Sequence, residues 1–247
     1  MKNTISIITA VLPEKSQFLE EAYDSICAQE LPSDWTWEWS IRVDGPSGMP
    51  IEARLRMDKR IHLGRNSVTR GPAIARTLAL GQGNGQVVKV LDADDRLIAG
   101  QLAREVSVYD SHPTVTWTTC RVLDLLPDGS HAGFPGDPAP GRLRRGEVYD
   151  YWTNKNGRAS VHPATLSISR TAIEGLGGWM ALPASEDTGL LLTLDALYDG
   201  WFFEEAGLLY RKWEGQLTAT AEHNSNEDRA ERFEIIRRRL AALNLSG

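Results

Sequence analysis

Residues 87–95, VVKVLDADD, constrain the fold more than any other segment of the sequence. β-Branched residues dominate the start of this run, which is typical of a strand buried on both faces of a parallel sheet. The run then ends in three carboxylates, Asp92, Asp94 and Asp95. Carboxylates crowded at the end of a buried strand repel one another and lose hydration, so we expect a positive group there, and a divalent cation is the simplest. The open alternative is that Asp94 or Asp95 caps a following helix.

The composition indicates a globular chain and argues against two classes of function. The sequence has 247 residues, of which 41% are apolar, so it can bury a full core. Its formal charge of -6 argues against nucleic-acid binding, which requires clustered Lys and Arg. No apolar run approaches the roughly 18–20 residues that cross a bilayer, and the N-terminus leads directly into a strand pattern. We therefore expect a cytoplasmic protein with no transmembrane segment. Cys27 and Cys120 are predicted to be buried free thiols.

Strand and helix patterns alternate through the first half of the chain. Strands are predicted over residues 5–12, 35–43, 61–63 and 87–91, and helices over residues 13–27 and 73–80. Such alternation implies right-handed crossovers and a largely parallel sheet, in which ligands bind at the carboxyl ends of the strands. Asp44 and the carboxylates after residue 91 are expected to meet at that edge.

The second half of the chain is less regular. We predict a helix over 99–111 and then a long strand or a bent pair of strands over 114–126. The irregular loop over 127–146 that follows is predicted to divide two lobes. We then predict, in chain order, a turn-rich segment at 151–158, a strand at 164–168, a short helix from 170, a helix from about 185 and an amphipathic helix over 226–243. Arginines of that last helix, Arg229, Arg232 and Arg237 to Arg239, alternate with acidic residues. A solvated helix face is therefore favoured over contact with an acidic membrane or a lipid carrier.

Two side chains near the predicted sheet edge have a functional and a structural interpretation. Asp44 could accept a hydrogen bond from a nucleobase, although an Asp before Gly-Pro is also a common turn residue. Arg76 follows Gly71-Pro72-Ala73 by one helical turn and could brace an acidic site, or it could be an ordinary surface arginine. The glycine-rich stretch 81–85 precedes a strand where a dinucleotide loop requires a helix, so we predict a turn.

The segments ISIITAVL, VDG, GPAIARTLAL and VVKVLDADD occur in the order and spacing of family 2 glycosyltransferases, which the chain resembles over about residues 4–220. HPATLSISRTAIEGLGGW followed by ASEDTGLLLTL resembles the acceptor-side segment of that family. The resemblance implies an α/β GT-A fold, with a Rossmann-like, mostly parallel central sheet flanked by helices and an acceptor-side lobe. It also implies one continuous domain, with a nucleotide-sugar-binding half at 1–125 and an acceptor-binding half with a C-terminal helix at 126–247.

The resemblance also assigns roles to individual residues. Asp187 would be the general base, with Glu186 beside it, although Asp187 could instead cap a helix. A metal ion, Mn2+ or Mg2+, would be held by Asp94 and His223, and Glu214 or water could replace His223. Trp179 could stack on a sugar and His162 could bind the acceptor, but both could be structural. The residues expected to contact the donor are Thr9, Ala10, Asp44, Arg76, Asp92, Asp94 and Arg211.

The resemblance implies a metal-dependent, inverting glycosyltransferase of hexosyltransferase type. It would move a sugar from a nucleotide diphosphate sugar, with a UDP-sugar favoured, to an acceptor hydroxyl by direct displacement. The acceptor is left open between a small molecule, a peptide and a carrier-linked saccharide. The alternative function is a catalytically silent scaffold or sensor that binds a nucleotide sugar.

Overall fold

The computed structural model describes residues 2–46, 51–216 and 226–244, which form one ten-stranded sheet with helices on both faces. The strands are β1 (Asn3–Val11), β2 (Trp35–Asp44), β3 (Ile61–Asn66), β4 (Val87–Val90), β5 (Arg96–Leu97), β6 (Val115–Leu125), β7 (His131–Ala132), β8 (Gly141–Leu143), β9 (Ser167–Ser169) and β10 (Asp199–Arg211). The helices are α1 (Leu19–Cys27), α2 (Ala53–Met57), α3 (Pro72–Leu80), α4 (Gln101–Ser111), α5 (Glu147–Asn154), α6 (Arg170–Gly175), α7 (Glu186–Leu197) and α8 (Asn226–Asn244). Two 3-10 helices cover Pro13–Phe18 and Pro163–Thr165.

The sheet confirms the predicted α/β fold. Its main strand order is β3-β2-β1-β4-β9-β6-β10-β5. The long strands pair in parallel, β1 with β2 and β4, β2 with β3, and β6 with β10. The antiparallel pairs come from the short strands β5, β7, β8 and β9. β1, β2 and β4 therefore end at the same edge, which brings their C-terminal residues together.

The two larger apolar clusters of the described residues fill the spaces on either side of this sheet. One contains residues of α3 and α5 to α8 and the other contains residues of α1, α2 and α4. Strand β2 shows how the sequence sets this division, because Trp35, Trp37 and Trp39 alternate with polar residues and all three are buried in the second cluster. The amphipathic pattern of α1 buries Leu19, Ala22 and Ile26 on the same side. Cys27 is exposed, contrary to prediction, whereas Cys120 is buried, and both are free.

The second half of the chain differs from the sequence-based expectation in several places, which include the unpredicted strand β10. The loop 127–146 contributes two short strands to the sheet, β7 against β6 and β8 against β10. Helix α5 occupies part of the segment that was predicted to be turn-rich, and it buries Val148 and Trp152. The strand predicted over 164–168 begins only at Ser167, because Pro163 starts a 3-10 turn.

β9 joins the two halves of the chain within one sheet. It lies between β4 of the first half and β6, and it pairs antiparallel with both. A buried ion pair lies beneath this junction. Lys89 Nζ donates to Glu105 Oε1 at 2.6 Å and to the Thr165 carbonyl at 2.7 Å, and neither charged side chain is exposed. No helix within the described ranges is long and apolar enough to cross a membrane.

Candidate active site

A cleft of about 1040 Å³ opens at the edge where β1, β2 and β4 end. Its first wall comes from the N-terminal half of the chain and its second wall from residues after 160. The first wall contains Ala10, Val11, Leu12, Lys15, Asp44, Thr69, Gly71, Pro72, Arg76, Asp92, Ala93 and Asp94. The second contains residues 162–164 and 181–188, Tyr210, Gln216, Asp228, Glu231, Arg232 and Ile235. Side chains distant in sequence thus face a common space.

The acidic turn after β4 lies on the floor of the cleft. Its backbone closes tightly, because the Asp95 N–H donates to the Asp92 carbonyl at 3.1 Å. Asp95 is buried, and its Oδ1 accepts the Arg211 backbone N–H at 3.0 Å, while its Oδ2 has no hydrogen-bond partner among the described residues. Burial first, and then the charges of Asp92 and Asp94, raise the pKa of Asp95 well above its usual value. The turn therefore concentrates negative charge that is only partly balanced.

Asp94, in the same turn, lines the cleft. It has no ion-pair partner in the described part of the chain. Its Oδ2 accepts the indole N–H of Trp213 at 2.8 Å. Burial, followed by the charge of Asp92, raises the pKa of Asp94, although the Trp213 hydrogen bond opposes this shift. A cation in the cleft would relieve that strain on the charged form.

Arg76 connects the two walls of the cleft. Its guanidinium donates to Asp92 Oδ1 at 2.5 Å and to Glu186 Oε1 at 2.6 Å. Burial alone would lower the pKa of Arg76, but the carboxylates of Asp92, Glu186 and Asp187 outweigh burial and raise it, so the guanidinium stays charged. The helical spacing that placed Arg76 one turn into α3 was the signal for this role, and the structure excludes a surface position.

Glu186 and Asp187 form the first turn of α7 on the opposite wall. Burial first, and then the neighbouring charge of Asp187, raise the pKa of Glu186 to about 7, against the attraction of Arg76. Asp187 Oδ1 accepts the backbone N–H of Thr188 at 2.6 Å, and Asp187 is only partly buried. Ser185, just before the helix, has a φ of 64°, a conformation that is uncommon for a residue other than glycine. This strained entry turns the start of α7 towards the cleft.

Asp44 is held at the rim of the cleft by the start of α3. Its Oδ1 accepts Asn66 Nδ2 at 2.7 Å and the Arg70 N–H at 2.9 Å, and its Oδ2 accepts the Gly71 N–H at 2.8 Å. Gly71 has a φ of 89°, which favours glycine at this position. A carboxylate has about four lone-pair positions, so Asp44 keeps capacity for a further N–H donor such as a nucleobase imide.

His162 also lines the cleft, on the acceptor-side wall. Its Nδ1 accepts the Ala164 N–H at 3.3 Å, so the remaining ring proton is assigned to Nε2. Burial lowers the pKa of His162, and the carboxylates of Asp187 and Asp92 only partly offset the effect. Its ring lies 4.7 Å from that of Tyr210, and the two rings form an aromatic surface on this wall.

Several predicted site residues lie away from the cleft. Thr9 is fully buried, where its hydroxyl donates to the Leu91 carbonyl at 2.7 Å and accepts Trp39 Nε1 at 2.8 Å. Trp179 is buried in the apolar core, so its ring packs and is not a cleft surface. Glu214 is exposed and His223 lies outside the described residues.

Arg211 lies behind the acidic turn. Its Nε donates to the Asp94 carbonyl at 2.8 Å and its guanidinium pairs with Glu21 at 2.7 Å. It does not line the cleft. Arg211 therefore braces the turn that carries Asp94.

The cleft residues that were not predicted from the sequence include Lys15, Tyr210, Gln216 and Arg232. For Arg232 the prediction was wrong, because this residue is only 5% exposed and does not belong to a solvated face. The signal was present in the sequence, since Arg232 precedes the buried Ile236 and Leu240 at four-residue intervals and so extends the inner stripe of α8.

Asp94 could hold a divalent cation in the cleft if a diphosphate supplied further oxygen ligands. Within the described ranges, no group of three or more His, Cys, Asp or Glu side chains could hold a metal ion alone. Asp92 is paired with Arg76 and Asp95 is buried, which leaves Asp94 as a hard oxygen ligand on the cleft floor. One carboxylate together with waters and substrate phosphates is a common way in which proteins bind Mg2+.

A family of known proteins matches part of the sequence. The sequence model of the family described as Glycosyl transferase family 2 matches residues 6–126. A comparison of the sequence with curated proteins finds no significant match.

Solved structures of TarS from S. aureus have a similar fold. TarS 1-349 in complex with UDP-GlcNAc superimposes with a TM-score of 0.69 at 16% identity, over 90% of this chain and 61% of that chain. TarS 1-349 in complex with UDP gives a TM-score of 0.66 at 15% identity, over 87% of this chain and 61% of that chain. The chain thus spans about three fifths of these TarS chains, and at such identities the likeness extends to the fold alone.

Proposed function

The chain belongs to glycosyltransferase family 2 and has the GT-A fold, and from this premise we propose that it is a metal-dependent, inverting hexosyltransferase. Its donor would be a nucleotide diphosphate sugar, and its acceptor an alcohol. The observation that carries the proposal is that Asp94 and Asp187, from opposite halves of the chain, line one cleft. Direct displacement needs a leaving-group site and a base on opposite sides of the sugar, and these are the roles that we propose for Asp94 and Asp187.

The first wall of the cleft would bind the donor. Asp44 has capacity for a nucleobase N–H, and Ala10 at the end of β1 leaves room for the nucleotide because its side chain is small. Asp94 would hold Mn2+ or Mg2+, which would offset the negative charge that develops on the departing diphosphate. A UDP-sugar is the favoured donor, since two structurally similar TarS complexes contain UDP and UDP-GlcNAc.

The second wall would activate the acceptor. Asp187 takes the proton of the acceptor hydroxyl while the acceptor oxygen attacks the anomeric carbon. The bond from that carbon to the diphosphate breaks, and the configuration at the carbon inverts. Glu186 stays beside it, held by Arg76, which also fixes Asp92 on the first wall. The aromatic surface of His162 and Tyr210 replaces Trp179 as the candidate platform for a sugar ring. The acceptor would be a small molecule, a peptide or a carrier-linked saccharide.

A screen of nucleotide sugars tests the proposal directly. Purified protein is incubated with each donor and Mn2+, and nucleoside diphosphate release is measured with and without chelator. We expect slow, chelator-sensitive release from at least one UDP-sugar and almost none from Asp94→Asn. Release that is insensitive to chelator contradicts the metal dependence. Donor binding with no release or transfer, for any acceptor class, would instead favour a nucleotide-sugar-binding scaffold or sensor.

A further inference from the structure

We propose that Trp213 is a positioning residue for Asp94, whose indole N–H holds one carboxylate oxygen so that the other is presented to a divalent cation. The proposal rests on the metal-dependent function proposed above. Trp213 follows β10 by two residues and is only partly exposed.

The contact between the two side chains has the geometry that such a role requires. Trp213 Nε1 donates to Asp94 Oδ2 at 2.8 Å. No other side chain in the described part of the chain donates to the Asp94 carboxylate. An indole N–H can donate but cannot bind a cation, so Trp213 engages one oxygen and leaves the second available. Asp94 lines the cleft whereas Trp213 does not, so the ring lies behind the carboxylate and leaves the cation position clear.

Trp213 is itself held in place by the N-terminal 3-10 helix. Its ring lies 5.0 Å from the Phe18 ring, and Lys15 Nζ lies 5.2 Å from its centre. Lys15 Nζ also donates to the Gly215 carbonyl at 2.7 Å, which ties the segment after β10 to this helix. A Cβ on Gly215 would overlap the Trp213 ring, so a glycine is needed for the ring to adopt this position.

A carboxylate fixed in this way binds a cation more tightly than one that rotates freely. Hydrogen bonds to the outer side of a metal ligand set its orientation, and their removal typically weakens metal binding about 10- to 100-fold. Arg211 fixes the backbone of the same turn, through its Nε contact with the Asp94 carbonyl at 2.8 Å. The side chain of Asp94, in contrast, depends on Trp213.

Mn2+ binding by the whole protein, in the presence of saturating UDP, tests the proposal. We expect Trp213→Phe, which keeps an aromatic ring but removes the N–H, to weaken Mn2+ binding about tenfold or more, as measured by electron paramagnetic resonance titration. UDP affinity without metal should remain unchanged. The matched control is Trp35→Phe, which removes a similar indole hydrogen bond, to Asp110 at 3.0 Å, away from the cleft. Its Mn2+ affinity should equal that of the wild type.

A second variant keeps the test decisive if Trp213→Phe does not fold. Gly215→Ala retains the indole but displaces the ring, so it should weaken Mn2+ binding in the same direction. Unchanged or tighter Mn2+ binding by the folded Trp213→Phe protein overturns the proposal for Trp213 alone. Absence of Mn2+ binding by the wild-type protein with UDP overturns the metal-dependent function, and the role of Trp213 with it.

Discussion

Asp187 lies in the first turn of α7, partly exposed to the cleft, and this position makes its role separable from donor binding. We expect Asp187→Asn to lower sugar transfer by about a hundredfold or more, because a general base contributes that much to such steps. Thermal stabilisation by the donor with Mn2+ should be retained. The matched control is Asp150→Asn, at an exposed position of α5 outside the cleft. Equal loss of donor stabilisation and transfer would mean that Asp187 binds the donor.

Glu186 predicts a pH dependence of stability. Its pKa is raised to about 7 in the fold by burial and by Asp187, so the folded protein binds this proton more tightly than the unfolded chain does. The stabilisation that the bound proton gives the folded protein is therefore fully present at pH values below the ordinary pKa of 4.5. It is lost as the pH rises through about 7. Relative to Glu186→Gln, the wild-type free energy of unfolding should fall by about 3 kcal/mol between about pH 4.5 and about pH 8.

Urea unfolding of both proteins across this pH range measures the difference. The glutamine variant removes the titration of this one group, so other ionisable residues cancel in the comparison. A difference that stays constant with pH would show that Glu186 titrates near its ordinary value.

The cleft residues that could be predicted from the sequence are those whose position is determined by the end of a strand. Asp44 and Asp94 follow β-strand patterns that end sharply, so their place at the sheet edge could be predicted. Thr9 faces away because side chains alternate along β1, and a shift of one residue reverses the face. Trp179 follows Gly177 and Gly178, whose positive φ values set a chain direction that the sequence pattern does not specify.

At the scale of elements, the buried pair of Lys89 on β4 and Glu105 on α4 is the feature most sensitive to change. We expect Lys89→Met alone to lower the free energy of unfolding by about 3–5 kcal/mol, because it leaves an uncompensated buried carboxylate. The double variant Lys89→Met/Glu105→Leu should recover most of this loss. Urea unfolding of the single and double variants measures the coupling between them.

An exposed pair provides the matched control for this experiment. Arg238 and Glu234 on α8 form an ion pair at 2.9 Å between largely exposed side chains. Its removal should change the free energy of unfolding by less than about 0.5 kcal/mol. Equal effects of the two pairs would contradict the distinction between buried and exposed charges.

Strands and helices could be predicted where the pattern of apolar residues is continuous or regular, and they were missed where that pattern is interrupted. β2 and α3 could be predicted because their apolar residues recur at regular intervals, and β1 and β4 because they are short, mostly apolar runs. The long strand β10 was missed, since the register shifts on either side of Ala206 interrupt the alternation that identifies a strand. Its pairing with β6 depends on contacts distant in sequence, which a local pattern does not contain.

At the scale of the whole molecule, the charge of the cleft determines how a nucleotide enters. Among the residues that the structure describes, seven carboxylates line it, against the basic side chains of Lys15, Arg76 and Arg232. Repulsion should therefore oppose binding of metal-free UDP, and salt should screen that repulsion. We expect the affinity for metal-free UDP to rise between about 10 mM and about 150 mM NaCl. Calorimetry with chelator present measures this dependence, and a fall in affinity would show that the basic residues dominate.

Because β9 lies between β4 and β6, we expect that residues 6–126, the portion matched by the family's sequence model, do not fold as a separate unit. Such a fragment would leave the facing edges of two neighbouring strands unpaired, which is a template for self-association and precipitation. A protein divided within residues 127–146 would thus need both pieces to be synthesised together. The piece that contains β9 would then supply the hydrogen bonds that β4 and β6 of the other piece lack.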